Sequence, residues 1–191
     1  MVHYLLLREL KQPKINELWF GVCEKKLKFS IEEFALVSGL KCAGDSSNLS
    51  FSFEKNRLVE KYFGGLKKIN KQSVQECFFS KHWENNEDCV KIAVLFFIEL
   101  FLFSSPIDKL VSRKTFDIVE SNLYNEYQWG KDVFDMTFEC LKGRLTNKEK
   151  KLHDGFFYQL NGFVYVLQVW FYECCPFLSG NICFFNGGNI P

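Results

Sequence analysis

The sequence lacks any apolar run long enough to cross a lipid bilayer. Its most apolar stretch, residues 92–103, holds 12 residues and is interrupted by Glu99, whereas a membrane-spanning helix needs ~20. The start of the chain also lacks the apolar core of a secretory signal, because charged residues follow the short run Tyr4–Leu7 at once. These absences favour an intracellular protein, nuclear or cytoplasmic, without a membrane partner.

An excess of charge of either sign is also missing. Lys and Arg together number 24 and Asp and Glu number 23, so the formal net charge is +1. A chain this close to neutrality is not drawn as a whole to nucleic acid or to anionic membranes. Nucleic-acid binding would therefore need a local basic patch.

Paired cysteine motifs are absent, although the chain holds eight cysteines. A metal site could use Cys174, Cys175 and Cys183 with His153, but adjacent cysteines on a helix point about 100° apart, and structural zinc prefers C-x₂₋₄-C spacing. The sequence therefore favours eight reduced, buried thiols in a reducing compartment. Gly-rich phosphate loops are missing too, and we expect neither a metal nor a cofactor.

What is present predicts a mainly α (α+β) protein that forms a single domain over residues 1–191. The chain is 47% apolar and contains 22 Phe residues, which is enough for a large aromatic core. We expect about six helices packed around two apolar central helices, residues 87–103 and 161–175. A small N-terminal β-hairpin and a short C-terminal strand complete the predicted fold.

Local signals place the predicted elements. Residues 17–29 predict two strands around a charged turn, and a capping box of Ser30 and Glu33 begins a helix over 31–38 that ends at Gly39. The inward positions predicted for the hairpin are Trp19, Val22, Leu27 and Phe29. Further predicted helices are 74–80, with Ser73 and Glu76 as its capping box, 87–103, capped by Asn86, 112–123, 131–142, with Phe134, Phe138 and Leu141 on one face, and 161–175, beginning at Asn161. Residues 43–53 and 143–155 are predicted to be exposed connections.

Four segments, residues 27–42, 94–105, 127–141 and 160–176, resemble in order and spacing the plant family called domain of unknown function nineteen eighty-five. The resemblance runs from about Leu5 to the C-terminus. It implies a plant source and an origin in Mutator-like transposons, where the domain often precedes a ubiquitin-like-protein-specific cysteine protease domain that is absent here. It also implies a chain shortened at both ends, and it implies no activity.

The residues of this chain do not form the site of such a protease. His82 and Cys89 superficially resemble the histidine and cysteine of that protease class, but seven positions separate them and Val90 stands where the class has Gly. Glu99 and Glu173 lie in apolar helices and are interpreted as structural acids bonded to a Trp, Tyr, Arg or backbone partner. We therefore expect a protein that is not an enzyme.

Apolar residues near both ends predict a partner-binding surface, comprising Leu6, Leu10, Phe184 and Phe185. The leading hypothesis is a non-catalytic protein–protein interaction module of transposon descent. It would engage an unidentified protein, such as a longer family member, as a competitor or decoy. The opposite interpretation, in which the two termini fold back and close the core, stays open.

Two basic clusters, Lys55–Lys71 and Lys142–Lys151, support an accessory nucleic-acid-binding domain as the alternative function. Such clusters contact phosphates in some proteins and are solvated faces in more of them. The residues expected to make these contacts are Lys55, Arg57, Lys61, Lys67, Lys68, Arg144, Lys148, Lys150 and Lys151.

Overall fold

The computed structural model describes residues 1–11, 14–44, 54–145 and 158–176. Over these ranges the chain is mainly α-helical with one two-stranded antiparallel sheet, as the sequence predicts. The elements in chain order are α1 (Val2–Leu6), β1 (Leu18–Val22), β2 (Lys25–Phe29), α2 (Ile31–Ser38), α3 (Arg57–Tyr62), α4 (Lys71–Ser80), α5 (Asn86–Phe97), a π-helical segment (Ile98–Leu102), α6 (Arg113–Glu120), a 3₁₀ turn (Leu123–Asn125), α7 (Trp129–Leu141) and α8 (Tyr165–Cys174).

The chain divides into two compact units. The first comprises Met1–Leu40, Phe134–Leu160 and Val164–Pro191, and the second comprises Lys41–Val133 and Asn161–Phe163. The two apolar helices expected at the centre belong to different units, since α5 lies in the second and α8 in the first. Each of them contributes buried side chains to its own unit.

The β-hairpin of the first unit buries one face of each strand. Phe20 stands opposite Leu27 in the antiparallel register, and Leu18, Phe20 and Val22 form the buried face of β1. The prediction that Trp19 faces inward with Val22 is wrong, because side chains alternate along a strand and residues three apart lie on opposite faces. Trp19 instead donates its Nε1 hydrogen to Glu17, 2.9 Å away.

The capping box before α2 is confirmed. The Ser30 amide donates to Glu33 Oε2 at 2.8 Å, and the helix ends at Gly39, which adopts the left-handed conformation with φ of 67°. Phe34 of this helix is fully buried and packs edge to face on Phe134 of α7, with ring centroids 5.5 Å apart. These local signals therefore set the entry and exit of α2 as the sequence indicates.

The last two helices begin at other residues than predicted. Helix α7 starts at Trp129, two residues early, and its predicted inner face is buried at Phe134, Phe138 and Leu141. Helix α8 starts at Tyr165 instead of following Asn161, because Gly162 takes a left-handed turn with φ of 83°. The Gly162 amide donates to the Ser104 carbonyl at 2.7 Å, which fixes this turn within the second unit.

Two helix caps of the second unit also differ from the prediction. Asn70 caps α4 by accepting from the Ser73 amide at 2.8 Å, and Asn85 caps α5 by accepting from the Asp88 amide at 2.8 Å. The predicted caps, Ser73 and Asn86, are wrong because an earlier asparagine already accepts from the free amide three residues on. The acidic first turn of α5, Glu87 and Asp88, is confirmed.

The core of the second unit is aliphatic and aromatic, and Trp129 marks one of its corners. The Trp129 ring lies 4.6 Å from that of Tyr127, and its Nε1 donates to the Tyr124 carbonyl at 2.7 Å. These contacts make Trp129 a packing residue. The buried core residues include Leu58, Val74, Ile92, Leu95, Phe116 and Ile118.

Within the described ranges, no helix combines the length and the apolar character that a membrane crossing requires. Most of the connections predicted at 43–53 and 143–155, and the predicted C-terminal strand, lie outside the described residues.

Candidate functional site: an exposed aromatic surface

A group of aromatic side chains lies at the surface of the second unit, on α4, α5 and the π-helical segment. Three of them expose half or more of their area, with 59% for Phe79, 50% for Phe97 and 52% for Phe101. Large apolar side chains exposed as a contiguous group are unusual in monomers and mark interaction sites. We call this group the aromatic surface, and it consists of Phe78, Phe79, Trp83, Phe96, Phe97 and Phe101.

The rings of the aromatic surface contact one another as a continuous set. Phe78 of α4 stacks on Phe96 of α5 with centroids 4.2 Å apart, and Phe96 lies edge to face with Phe101 at 5.9 Å. Phe97 stacks on Phe101 at 5.8 Å, and Trp83 lies 6.1 Å from Phe78. Ring pairs favour such offset-stacked and edge-to-face geometries, so the six side chains form one contiguous apolar surface.

Helix α5 is apolar on two faces, and only one of them is used by the core. Ile92 and Leu95 are fully buried, whereas Val90 is 51% exposed and lies on the same side as Phe97, seven residues later. The sequence prediction of a helix buried all round is therefore correct for one face only. A helix that is apolar all round is typical of a fully covered helix, and here one face is open to a partner.

A buried ion pair holds the two helices of the aromatic surface together. The Nζ of Lys71, in the first turn of α4, lies 3.1 Å from Oε2 of Glu99 in the π-helical segment, and the two side chains are 3% and 6% exposed. Lys71 also donates to the carbonyls of Glu99 and Phe103. Burial lowers the pKa of Lys71. The predicted burial of Glu99 is confirmed, but its carboxylate pairs with a lysine and not with the predicted Trp, Tyr, Arg or backbone partner.

A second charge network joins α3 to α5 and α6. Asp88 is fully buried and accepts from Arg57 Nη2 at 2.6 Å, from Lys61 Nζ at 2.8 Å and from the Tyr62 hydroxyl at 2.6 Å. These bonds, that from Arg57 above all, hold the pKa of Asp88 well below its usual range. Arg57 also donates to Glu120 at 2.9 Å. The network therefore uses both cations of α3 for internal pairing.

The nucleic-acid candidates are in part drawn into this pairing. Arg57 and Lys61 contact carboxylates, and Lys71 of the same cluster is buried, so these three cations do not form a free phosphate-binding face. Arg144 donates to the Gln159 carbonyl. Lys55, Lys67 and Lys68 are exposed, whereas Lys148, Lys150 and Lys151 lie outside the described residues.

The predicted partner-binding residues at the N-terminal end serve the fold of the first unit. Leu6 is 2% exposed, so the prediction that it lies on an open surface is wrong. Leu10 donates its amide to the Trp19 carbonyl at 2.7 Å and packs beside Gly21 of the hairpin. The chain after α1 pairs with β1 through a bridge between Glu9 and Phe20, which places Leu10 against the hairpin. Phe184 and Phe185 lie outside the described residues.

The candidates for other chemistry are separated or exposed. His82 is exposed between α4 and α5, and Cys89 is half-buried within α5. Glu173 is exposed, so its predicted burial is wrong. Cys23 and Cys174 are exposed, against the expectation of buried thiols, whereas Cys140 and Cys175 are buried. In the part of the chain that the structure describes, no group of three or more metal-ligating side chains is arranged to hold an ion.

The fold and this surface define a mainly α-helical protein whose most distinctive external feature is aromatic. The chain belongs to the family described as Domain of unknown function (DUF1985), whose sequence model matches residues 6–140. The predicted family is thus confirmed over residues 6–140, a range that includes the whole aromatic surface, whereas the fourth segment, residues 160–176, lies beyond the match. Comparisons with curated proteins and with solved structures give no significant match.

Proposed function

We propose that this chain is a non-catalytic protein–protein interaction module that binds its partner through the aromatic surface. The observation that supports this function is the exposure of Phe79, Phe97 and Phe101 in one connected group of rings. Aromatic side chains are enriched where protein partners meet, because they bury a large apolar area at a small cost in conformational entropy. The surface on α4 and α5 replaces the two chain ends as the proposed contact.

Family membership supports a wider proposal about the origin of the module. The resemblance implies a plant source and descent from a Mutator-like transposon, and we include both in the proposal. We add an intracellular site of action, nuclear or cytoplasmic, on the basis of the sequence absences described above. In this proposal the chain acts as a competitor or decoy for a longer family member. Capture of such a relative from plant extract is the corresponding test.

The experiment compares the chain with a variant of the aromatic surface. Immobilised protein carrying Phe79→Lys and Phe97→Lys is expected to lose the plant proteins that the unchanged chain captures, because a charge in the surface must be desolvated on binding. The matched control is Leu66→Lys, since Leu66 is 59% exposed and lies outside the surface. Equal capture by the two variants would contradict the proposed function.

Nucleic-acid binding stays the alternative function. Fewer of the predicted basic residues are free to contact phosphates than the sequence indicates, because Arg57 and Lys61 pair with carboxylates. Lys55, Lys67 and Lys68 remain exposed, and phosphate contacts through them would weaken steeply as salt rises. A titration with duplex DNA at two salt concentrations tests this alternative. Binding that is lost in a Lys67→Glu/Lys68→Glu variant, and kept in Phe79→Lys/Phe97→Lys, would favour it over the proposed function.

A further inference from the structure

Three exposed apolar side chains, Val90, Phe97 and Phe101, form a stripe along the outer face of α5 and the π-helical segment. Val90, Phe97 and Phe101 succeed one another at intervals of seven and four residues along α5 and the π-helical segment. This spacing keeps side chains on one face of a helix. Because the opposite face is already buried in the unit, the stripe is the second apolar face of a helix that requires cover on both sides.

The three half-exposed rings of the aromatic surface supply about two thirds of the apolar area that one side of a standard dimer interface contains. A phenylalanine presents ~200 Å² in full, so the three half-exposed rings alone offer ~300 Å². A standard interface takes ~800 Å² from each partner, of which slightly more than half, ~450 Å², is apolar. Val90 and the partly exposed Phe78, Trp83 and Phe96 extend the rings toward that area.

Charge favours contact between two identical surfaces. The six side chains of the aromatic surface are uncharged, and the net charge of +1 gives two copies little mutual repulsion. Exposed residues of opposite sign, Glu76 and Lys81, flank Phe79 on either side along the chain. A two-fold arrangement with α4 antiparallel to its copy therefore brings each of these charges toward the opposite one.

On the basis of the function proposed above, we propose that the partner of the aromatic surface is a second copy of this chain. The two surfaces face each other across a two-fold axis, so that the same residues contribute from both sides. Ring-on-ring contacts between the copies then continue the offset and edge-to-face pairs already present within each surface.

Sedimentation equilibrium of the purified chain tests this arrangement. We expect twice the monomer mass of 22.5 kDa at protein concentrations up to ~100 μM, where a contact of micromolar Kd is saturated. The variant Phe97→Lys/Phe101→Lys is expected to raise the dimer Kd by ~30-fold or more, as loss of central aromatic anchors does. Leu66→Lys adds one such charge at an exposed leucine outside the surface and is expected to remain dimeric.

Mixing two charged variants tests whether the surface meets itself. Phe97→Lys/Phe101→Lys and Phe97→Glu/Phe101→Glu are each expected to be monomeric, with circular dichroism spectra like that of the unchanged chain and with melting temperatures like that of the unchanged chain at low concentration, where it is dissociated. In an equimolar mixture the opposite charges face each other, and we expect dimers to return. Dimers that persist in either variant alone, or no recovery on mixing, would overturn the two-fold contact.

The same variants separate this inference from the function on which it rests. An unchanged chain that is monomeric up to ~100 μM rules out the second copy as the partner. If Phe97→Lys/Phe101→Lys nevertheless loses a plant protein that Leu66→Lys still captures, the interaction function stands with another partner. If the chain is monomeric and capture is the same for both variants, the inference and the proposed function are both wrong.

Discussion

Lys71 and Glu99 form an ion pair in the interior of the second unit, with 3.1 Å between Nζ and Oε2. The same lysine donates to the carbonyls of Glu99 and Phe103, where the helical hydrogen-bond ladder of α5 ends. One side chain thus neutralises a buried acid and satisfies two backbone acceptors that a helix end leaves open. The pair fixes the start of α4 against the segment that carries Phe101.

Removing the acid from this pair is expected to destabilise the protein strongly. In Glu99→Ala the ammonium of Lys71 stays buried without its counter-ion, which typically costs ~3–5 kcal/mol of unfolding free energy. Urea denaturation at neutral pH measures the loss. The double variant Lys71→Met/Glu99→Leu is expected to recover part of it, because no charge stays buried. An unchanged unfolding free energy for Glu99→Ala would show that the pair does not form.

The Asp88 carboxylate is expected to make the unfolding free energy depend on pH in the acid range. Its pKa is lower in the folded chain than in the unfolded chain, mainly through the bond from Arg57, so the folded state binds fewer protons. Its contribution is fully present above the unfolded value of ~3.9 and is lost as the pH falls below that value toward the folded pKa. Asp88→Asn is expected to cost ~1–3 kcal/mol at pH 7, and the difference from the unchanged chain should shrink on acidification.

Unfolding free energies of both proteins between pH 7 and strongly acidic conditions measure this effect. Glu139→Gln is the matched control, since it removes the charge of an exposed carboxylate on α7. A difference between Asp88→Asn and the unchanged chain that stays constant down to pH ~2 would contradict the assignment of this slope to Asp88.

Elements with strong local signals could be predicted from the sequence, and long-range pairing could not. Ser30, Glu33 and Gly39 set the bounds of α2 because a capping box and a left-handed turn involve only neighbouring residues. The sequence places Lys71 in a basic cluster, since nothing near it along the chain indicates that the carboxylate of Glu99 pairs with it. The bounds of α2 could thus be predicted from the sequence, and the partner of Lys71 could not.

The candidate site itself was hidden by the apolar character of α5. A run such as residues 92–103 predicts burial, but it contains no polar face that would tell the core side from the outer side. Phe78 and Phe79 give no better signal, because two adjacent residues of a helix point in different directions. Only the packing of α4 on α5 shows that Ile92 and Leu95 face inward while Phe97 and Phe101 face outward.

Competition between neighbouring asparagines gives a test of the α5 cap. Asn85 accepts from the Asp88 amide, whereas Asn86 is the first residue of the helix. Asn85→Ala is therefore expected to lower the unfolding free energy by ~1 kcal/mol, and Asn86→Ala is expected to leave it nearly unchanged. Thermal melts of the two variants decide the matter, and the reverse order of stabilities would restore Asn86 as the cap.

The cysteines are expected to be reduced, and their rates of alkylation are expected to differ. The seven described cysteines carry no disulfide, and we expect eight reduced thiols when freshly isolated, alkylation-protected protein is unfolded without reductant. In the native protein Cys23 is expected to react before Cys174, because burial raises the pKa of Cys174 and leaves less of the reactive thiolate. Mass spectrometry of timed alkylation measures both, and a count of six or fewer would contradict the reduced state.

The two faces of α5 predict opposite responses to the same truncation. Leu95 is fully buried, so Leu95→Ala leaves a cavity and is expected to cost ~2–5 kcal/mol of unfolding free energy. Phe97 is 50% exposed, and Phe97→Ala in the monomer is expected to cost less than ~1 kcal/mol, because half of the ring is already in water. Urea denaturation at low protein concentration, where self-association is negligible, measures both values.

Because unfolding of a dimer depends on concentration, the cost of Phe97→Ala is expected to grow as the protein is concentrated, while the cost of Leu95→Ala stays the same. Equal costs at every concentration would show that Phe97 belongs to the core and that α5 has no free face.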